Sequence, residues 1–195
     1  MKNEFRALLE RFAPIDELAW QEFASFIQLK TYQKDEMILP AGKTCNFIGF
    51  LYKGNTRVYE IVEGIEVNRV FFLEKNFVTE YYSFISQTPS KETIVCLDDC
   101  QILMINYEAL QQLYAKHKSM ERVGRCITEY MYIRQRNKVT NFLINNPEER
   151  YLYLLKENPQ LLEKVPHYHI ASFLGITPQS LSRIRKRLEH VSSPK

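Results

Sequence analysis

The sequence is sparing with chain breakers: 6 Gly and 8 Pro in 195 residues, which excludes collagen-like and low-complexity readings. No apolar run approaches the roughly 18 residues that a membrane span needs. The opening segment, MKNEFRALLERFAP, carries Glu4 and Glu10 inside its apolar pattern, whereas a signal peptide has a basic start and an unbroken apolar stretch. A soluble, cytoplasmic protein with no membrane partner is expected. Cysteine is scarce too. Cys45, Cys96, Cys100 and Cys126 are widely spread, and a chain of this size needs no disulfide framework. Cys96 and Cys100 have no Cys or His nearby to complete a zinc or iron–sulfur set, so reduced, partly buried thiols are expected. A Gly-rich phosphate loop, a metal-ligand cluster and a Ser–His–Asp motif are all missing. The acidic pair Asp98-Asp99 falls in a turn signal. The reading is of a protein that is not an enzyme and holds no metal or cofactor.

What the sequence does contain is unevenly placed. The net charge is only +3, but residues 1–147 hold 18 basic and 18 acidic side chains, and residues 148–195 hold 8 and 5. The whole excess sits in the last quarter, where distribution matters more than the total. Within it, Pro178–Leu188 carries Arg183, Arg185, Lys186 and Arg187 and no acid.

The hydrophobic pattern changes along the chain. Residues 1–29 read as helical, with Phe5, Leu8, Leu9 and Phe12 at helical spacing and a second short helix through Leu18, Phe23, Phe26 and Ile27. From Thr31 to about Ile105, short β-branched and aromatic runs alternate with turn residues. The runs are Met37–Leu39, Phe47–Tyr52, Arg57–Val62, Glu66–Leu73, Thr93–Leu97 and Gln101–Ile105, and Gly42, Gly54 and Gly64 are natural sites for positive φ. Such a series predicts a sandwich or barrel. Helix returns at Tyr107–Leu113 and then over Ser119–Ile144, about 38 Å of helix at 1.5 Å per residue. There Met120, Val123, Ile127 and Tyr130 step in a heptad-like seam, which predicts pairing with the same helix of a second subunit. Asn145-Asn146-Pro147 ends this helix, and Glu148–Lys156 forms another.

The segment Pro166–Glu189, PHYHIASFLGITPQSLSRIRKRLE, carries the functional signal. A helix beginning at Pro166 would bury Ile170, Ala171, Phe173 and Leu174 and close at Gly175. Thr177 would cap a second helix with Pro178 in its first turn. Leu181, Ile184 and Leu188 form that helix's buried stripe, leaving Gln179, Ser182, Arg183, Lys186 and Arg187 outside. Ala171, Gly175, Leu181 and Ile184 match the packing positions of a helix-turn-helix, whose second helix enters the major groove of duplex DNA. Gln179 and Arg183, one turn apart, suit adenine and guanine. Thr177, Ser182, Lys186 and Arg187 suit phosphates, and Pro178 and Ser180 complete the DNA-facing set. A two-fold dimer would read a pseudo-palindrome.

Taken together, the β-rich half, the long helix and the C-terminal pair resemble the cyclic-AMP receptor protein/Fnr family of bacterial regulators over nearly the whole chain. Ile38-Leu39-Pro40-Ala41-Gly42 and Phe50-Leu51-Tyr52-Lys53-Gly54-Asn55-Thr56-Arg57-Val58-Tyr59 look like the glycine-bearing turns of the cyclic-nucleotide-binding β-roll. The resemblance implies an α+β fold: an N-terminal β-roll sensor over residues 1–118, a dimerisation helix over 119–146, and a winged-helix-like helix-turn-helix with a reduced wing over 147–195. It implies double-stranded DNA and a second copy of the chain as partners, with RNA polymerase and an unknown small-molecule effector as further ones. The family's phosphate cassette falls on Phe77–Thr93, so Thr79, Glu80, Ser90 and Lys91 would line a ligand pocket, with Glu80 at the ribose. Thr79 replaces a usual Gly, however, and Ser90 stands where the family has the phosphate-pairing Arg. Lys91 lacks a bidentate fork, so tight cyclic-AMP binding is not expected. The oxygen-sensing branch uses N-terminal cysteines and the haem branch a β-roll His. Here the first cysteine is Cys45, and His117, His167, His169 and His190 all come after the β-roll. His167 and His169 are expected at the surface. At the start of the reader helix, Pro178-Gln179 replaces the family's Arg-Glu, while Arg183 matches its groove-reading Arg. Asn158–Pro166 is too short for much of a hairpin wing, and a second wing after Glu189 is not expected. The competing readings are a ligand sensor whose DNA reader is secondary, and an adaptor that sets the basic helix on an acidic protein.

Overall fold

The computed structural model describes residues 1–191, the side chains of 189–191 excepted; residues 192–195 lie outside the described residues. Two helices open the chain, α1 (Lys2–Glu10) and α2 (Glu17–Phe26). Asp16 caps α2, its Oδ1 accepting from the Ala19 N–H at 2.8 Å. Eight strands come next: β1 (Gln28–Tyr32), β2 (Met37–Leu39), β3 (Phe47–Lys53), β4 (Thr56–Val62), β5 (Ile65–Phe72), β6 (Asn76–Val78), β7 (Glu92–Cys96) and β8 (Cys100–Asn106), with a short helix α3 (Tyr81–Ser86) between β6 and β7. The strands form two four-stranded antiparallel sheets, in the orders β1-β8-β3-β6 and β2-β7-β4-β5. Their inner faces share one core with α1, where the Phe5 and Phe50 rings stack at 5.2 Å.

The turns form where glycine makes them cheap. Gly54 has φ +89°, and a Cβ there would lie 2.6 Å from the Asp99 carbonyl oxygen and 2.7 Å from Cys100 Sγ. Both conformation and space therefore require glycine. All four cysteines are free, and Cys45, Cys96 and Cys100 are buried. Two strands had no sequence signature. β1 is almost wholly exposed and so lacks alternation, and β6 has only three residues.

Helix α4 (Tyr107–Lys116) leads into α5 (Lys118–Ile144), a 27-residue helix. Here the sequence reading needs correction. Met120, Val123 and Ile127 do not face a partner: they are 1%, 1% and 9% exposed and belong to the β-roll's own core. The uncovered apolar residues of α5 lie further along, at Tyr130, Tyr132, Ile133, Val139, Leu143 and Ile144. Of the expected seam only Tyr130 is uncovered; the other three are buried because α5 spends its first half covering the β-roll.

Next comes α6 (Pro147–Glu157), opened by a capping box in which Asn146 and Glu149 bond each other's main chain. Asn158–Pro166 holds a single helical turn, α7 (Leu161–Lys164), and no strand. The chain then runs through α8 (His167–Leu174) and α9 (Pro178–Val191). A second core joins Tyr151, Leu154, Leu161, Val165, Ile170, Ala171, Leu174, Leu181 and Ile184, with Phe71, Leu73 and Leu97 of the β-roll packed against it. No helix of the described residues is long and apolar enough to cross a membrane.

Candidate nucleic-acid interface

The α8–α9 pair is built as its residues require. Gly175 ends α8 in the left-handed conformation, φ +69°. Its N–H donates to the Ser172 carbonyl at 3.1 Å, and the Ile176 N–H donates to that of Ala171 at 3.0 Å, closing the helix. Thr177 caps α9: its Oγ1 accepts from the Ser180 N–H at 3.1 Å. Leu181 and Ile184 are buried against Ile170, Ala171 and Leu174, so α9 cannot turn without losing its anchor.

That anchor fixes what faces out. Thr177, Pro178, Gln179, Ser182, Arg183, Lys186 and Arg187 are exposed, and Ser180 is half-buried. Gln179, Arg183 and Lys186 line one outward strip free of acid. Arg187 is drawn aside into an ion pair with Glu148 at the start of α6. Arg185, part of the basic run but not of the expected DNA-facing set, lies with its Nη1 2.8 Å from His167 Nε2. The two border a shallow cleft of about 300 Å³ with Pro178, Leu181, Ser182 and Lys186. His169 is a correction. Expected at the surface, it is only 7% exposed, because β5 packs over it.

The cassette residues lie in the β-roll, at the end of β6, the start of α3 and the approach to β7. Thr79, Glu80 and Ser90 are buried, and Lys91 is exposed. Their polar atoms are already used. Thr79 Oγ1 donates to the Phe47 carbonyl at 2.9 Å. Ser90 Oγ donates to the Glu92 carbonyl and accepts from the Glu92 N–H, both at 2.9 Å. Glu80 caps α3, accepting from the N–H groups of Tyr82 at 3.1 Å and Ser83 at 2.9 Å. That role was invisible in the sequence because α3 itself was not foreseen. Burial, and then the Glu80 charge, push the Glu92 carboxyl above its ordinary range. Arg69 Nε lies 3.9 Å from Glu92 Oε1. Sequence reasoning also missed Lys138 on α5. Its Nζ donates to the Arg69 carbonyl at 2.5 Å, and burial lowers its pKa. Only tertiary contact reveals that role.

Residues 29–117 match the cyclic nucleotide-binding domain family. No curated protein sequence matches the chain. Among solved structures it is similar to FixK2 of Bradyrhizobium japonicum, with a TM-score of 0.72 and 15% identity over 84% of this chain and 85% of that one. It is similar to CLP, the c-di-GMP responsive global regulator of Xanthomonas campestris, with a TM-score of 0.63 and 17% identity over 90% and 92%. It also resembles the catabolite activator protein of Thermus thermophilus, with a TM-score of 0.58 and 16% identity over 92% and 86%. The resemblance to the cyclic-AMP receptor protein/Fnr regulators read from the sequence is therefore matched at the level of fold: residues 29–117 match the cyclic nucleotide-binding domain family, and the chain is similar in fold to those solved structures.

Proposed function

We propose that this chain is a sequence-specific DNA-binding transcription regulator, acting as a homodimer and reading the major groove with residues 178–188. The observation that carries the reading is the outward, acid-free strip of Gln179, Arg183 and Lys186 on a helix anchored by Leu181 and Ile184. In a helix-turn-helix the N-terminal part of the second helix enters the groove. There Gln179 and Arg183 contact base edges, at about 1–3 kcal/mol of discrimination each. Thr177, Ser180, Ser182 and Lys186 hold phosphates, and Pro178 sets the first turn at the groove edge. Arg187 joins them by exchanging its exposed pair with Glu148, an interaction of about 0–1 kcal/mol.

Dimerisation is supported by the uncovered apolar residues on the second half of α5. Of the division into residues 1–118, 119–146 and 147–195, the separate core joined by Tyr151 to Ile184 supports the last unit, while the first half of residues 119–146 packs into the β-roll core. CLP is a c-di-GMP responsive regulator, so a small effector belongs to the proposal, with RNA polymerase as the downstream partner. The internally bonded cassette argues against cyclic AMP as that effector. Selection of bound duplexes from a random pool tests the reading. The expected product is an inverted repeat with half-site centres about 10–10.5 bp or a multiple apart. Failure to enrich any sequence would overturn it.

A further inference from the structure

The seam between β5 and α8 is built from side chains that imitate a neighbouring strand. β5 is the edge of its sheet, and an edge leaves main-chain groups without partners. Ser172 supplies them: its Oγ accepts from the Asn68 N–H at 3.1 Å and donates to the Glu66 carbonyl at 3.1 Å. One residue on, the register slips, with Val58 opposite Val70 but Tyr59 opposite Asn68. This leaves Arg69 as a bulge, its carbonyl held by Lys138. Phe71 packs on Phe173 at 5.5 Å.

At the centre lies a buried polar chain. Arg57 Nη1 donates to Asn68 Oδ1 at 3.2 Å. That fixes the Asn68 amide, so its Nδ2, 3.2 Å from His169 Nδ1, must be a donor. His169 Nδ1 must therefore be an acceptor. A protonated imidazole has two N–H donors and no acceptor, so protonation would set donor against donor in a buried place. The charged groups around His169 on the sheet are Arg57 of β4 and Glu66 of β5, paired with each other at 2.7 Å. Tyr168 of α8 lies ring to ring with it at 4.0 Å. Of the other helices packed on α8, α5 brings Lys138, its Nζ 5.2 Å from the Phe173 ring centroid, α6 brings the buried Tyr151, and α9 brings Arg185, which sits on His167.

Resting on the DNA-binding reading above, we propose that this seam is a proton-sensitive latch that holds the α8–α9 reader in one orientation on the β-roll. The latched state leaves the outward strip of α9 uncovered. It therefore preorganises the reader, and release returns orientational freedom that specific binding must remove. The ring determines the sign. Burial and then Arg57 hold His169 down at about 4, against an ordinary value of 6.5. Above about 6.5 both states are neutral and the latch is at full strength. Below it the released state takes up the proton, shifting the equilibrium about tenfold per pH unit toward release until about pH 4.

The test is amide exchange of the full chain at pH 7.5, 6.5 and 5, corrected for intrinsic rates, beside retention of random-sequence and selected duplexes. Protection of residues 66–72 and 167–174 should fall at least tenfold from pH 6.5 to 5. It should stay level in His169→Gln, and be low at every pH in Ser172→Ala. Wild-type retention of the selected duplex should weaken over the same interval. Unchanged protection in the wild type, or a parallel fall in His169→Gln, would overturn the latch, as would an opened seam with undiminished specific retention. Loss of protection as expected, with no duplex retained at any pH, would instead remove the DNA-binding reading.

Discussion

Leu143 near the end of α5 offers a clean perturbation of assembly, because it is 81% exposed in the single chain. Leu143→Lys replaces one good helix former with another on a solvated surface, so the fold of the subunit should change by no more than about 0.5 kcal/mol. Tyr132, Val139 and Leu143 lie seven and four residues apart along α5, the spacing of a helical seam. In a two-fold dimer the change is made twice. Burying a leucine contributes about 1.5–3 kcal/mol, so the dimer should lose about 3–6 kcal/mol, a weakening of roughly 10²- to 10⁴-fold. Sedimentation equilibrium over a wide concentration range reads this directly, with thermal melting as the control for folding. If the wild type sediments as a monomer throughout, or Leu143→Lys associates as the wild type does, the second half of α5 is not the subunit contact.

Two further predictions concern the β-roll and the helices packed on it. Gly124→Ala should destabilise the chain despite about 1 kcal/mol of gained helix propensity, because the new Cβ would run into the Tyr114 hydroxyl and lie 2.5 Å from its Cζ. Overpacking of this kind costs about 1–3 kcal/mol. The same change in a Tyr114→Ala background should be neutral or stabilising, and stabilisation in the wild-type background would contradict the packing of α4 on α5. Cyclic AMP at millimolar concentration should leave the melting temperature unchanged, because Thr79, Glu80 and Ser90 are bonded within the protein. A shift that grows with the logarithm of ligand concentration would show that the cassette opens.

How far the sequence could be read depended on how local each cause was. Gly42, Gly54 and Gly64 were legible as positive-φ turns and have φ of +84°, +89° and +80°, because glycine's freedom belongs to the residue itself. The α8–α9 joint was legible for the same reason: cap, closing glycine and apolar spacing all lie within a few residues. β1 was not legible, since a strand exposed on both faces carries no alternation. Most of the α5 seam was misplaced because periodicity says that a face is buried, not against what. His169 was misjudged because its burial comes from Asn68, 101 residues away. The capping role of Glu80 was not legible, because it depends on α3, a helix whose six residues carry no clear period.

In the proposed mode of binding, α9 presents base-reading and phosphate-holding residues as separate sets. Binding of Arg183→Ala and Lys186→Ala to a selected and a random duplex, measured across a salt titration, tests it most directly. Arg183→Ala should lose about 1–3 kcal/mol on the selected duplex and little on the random one, while Lys186→Ala should weaken both alike and lower the salt slope by about 1. Equal losses from the two variants on both duplexes, or a wild type that retains neither duplex at low salt, would contradict the account.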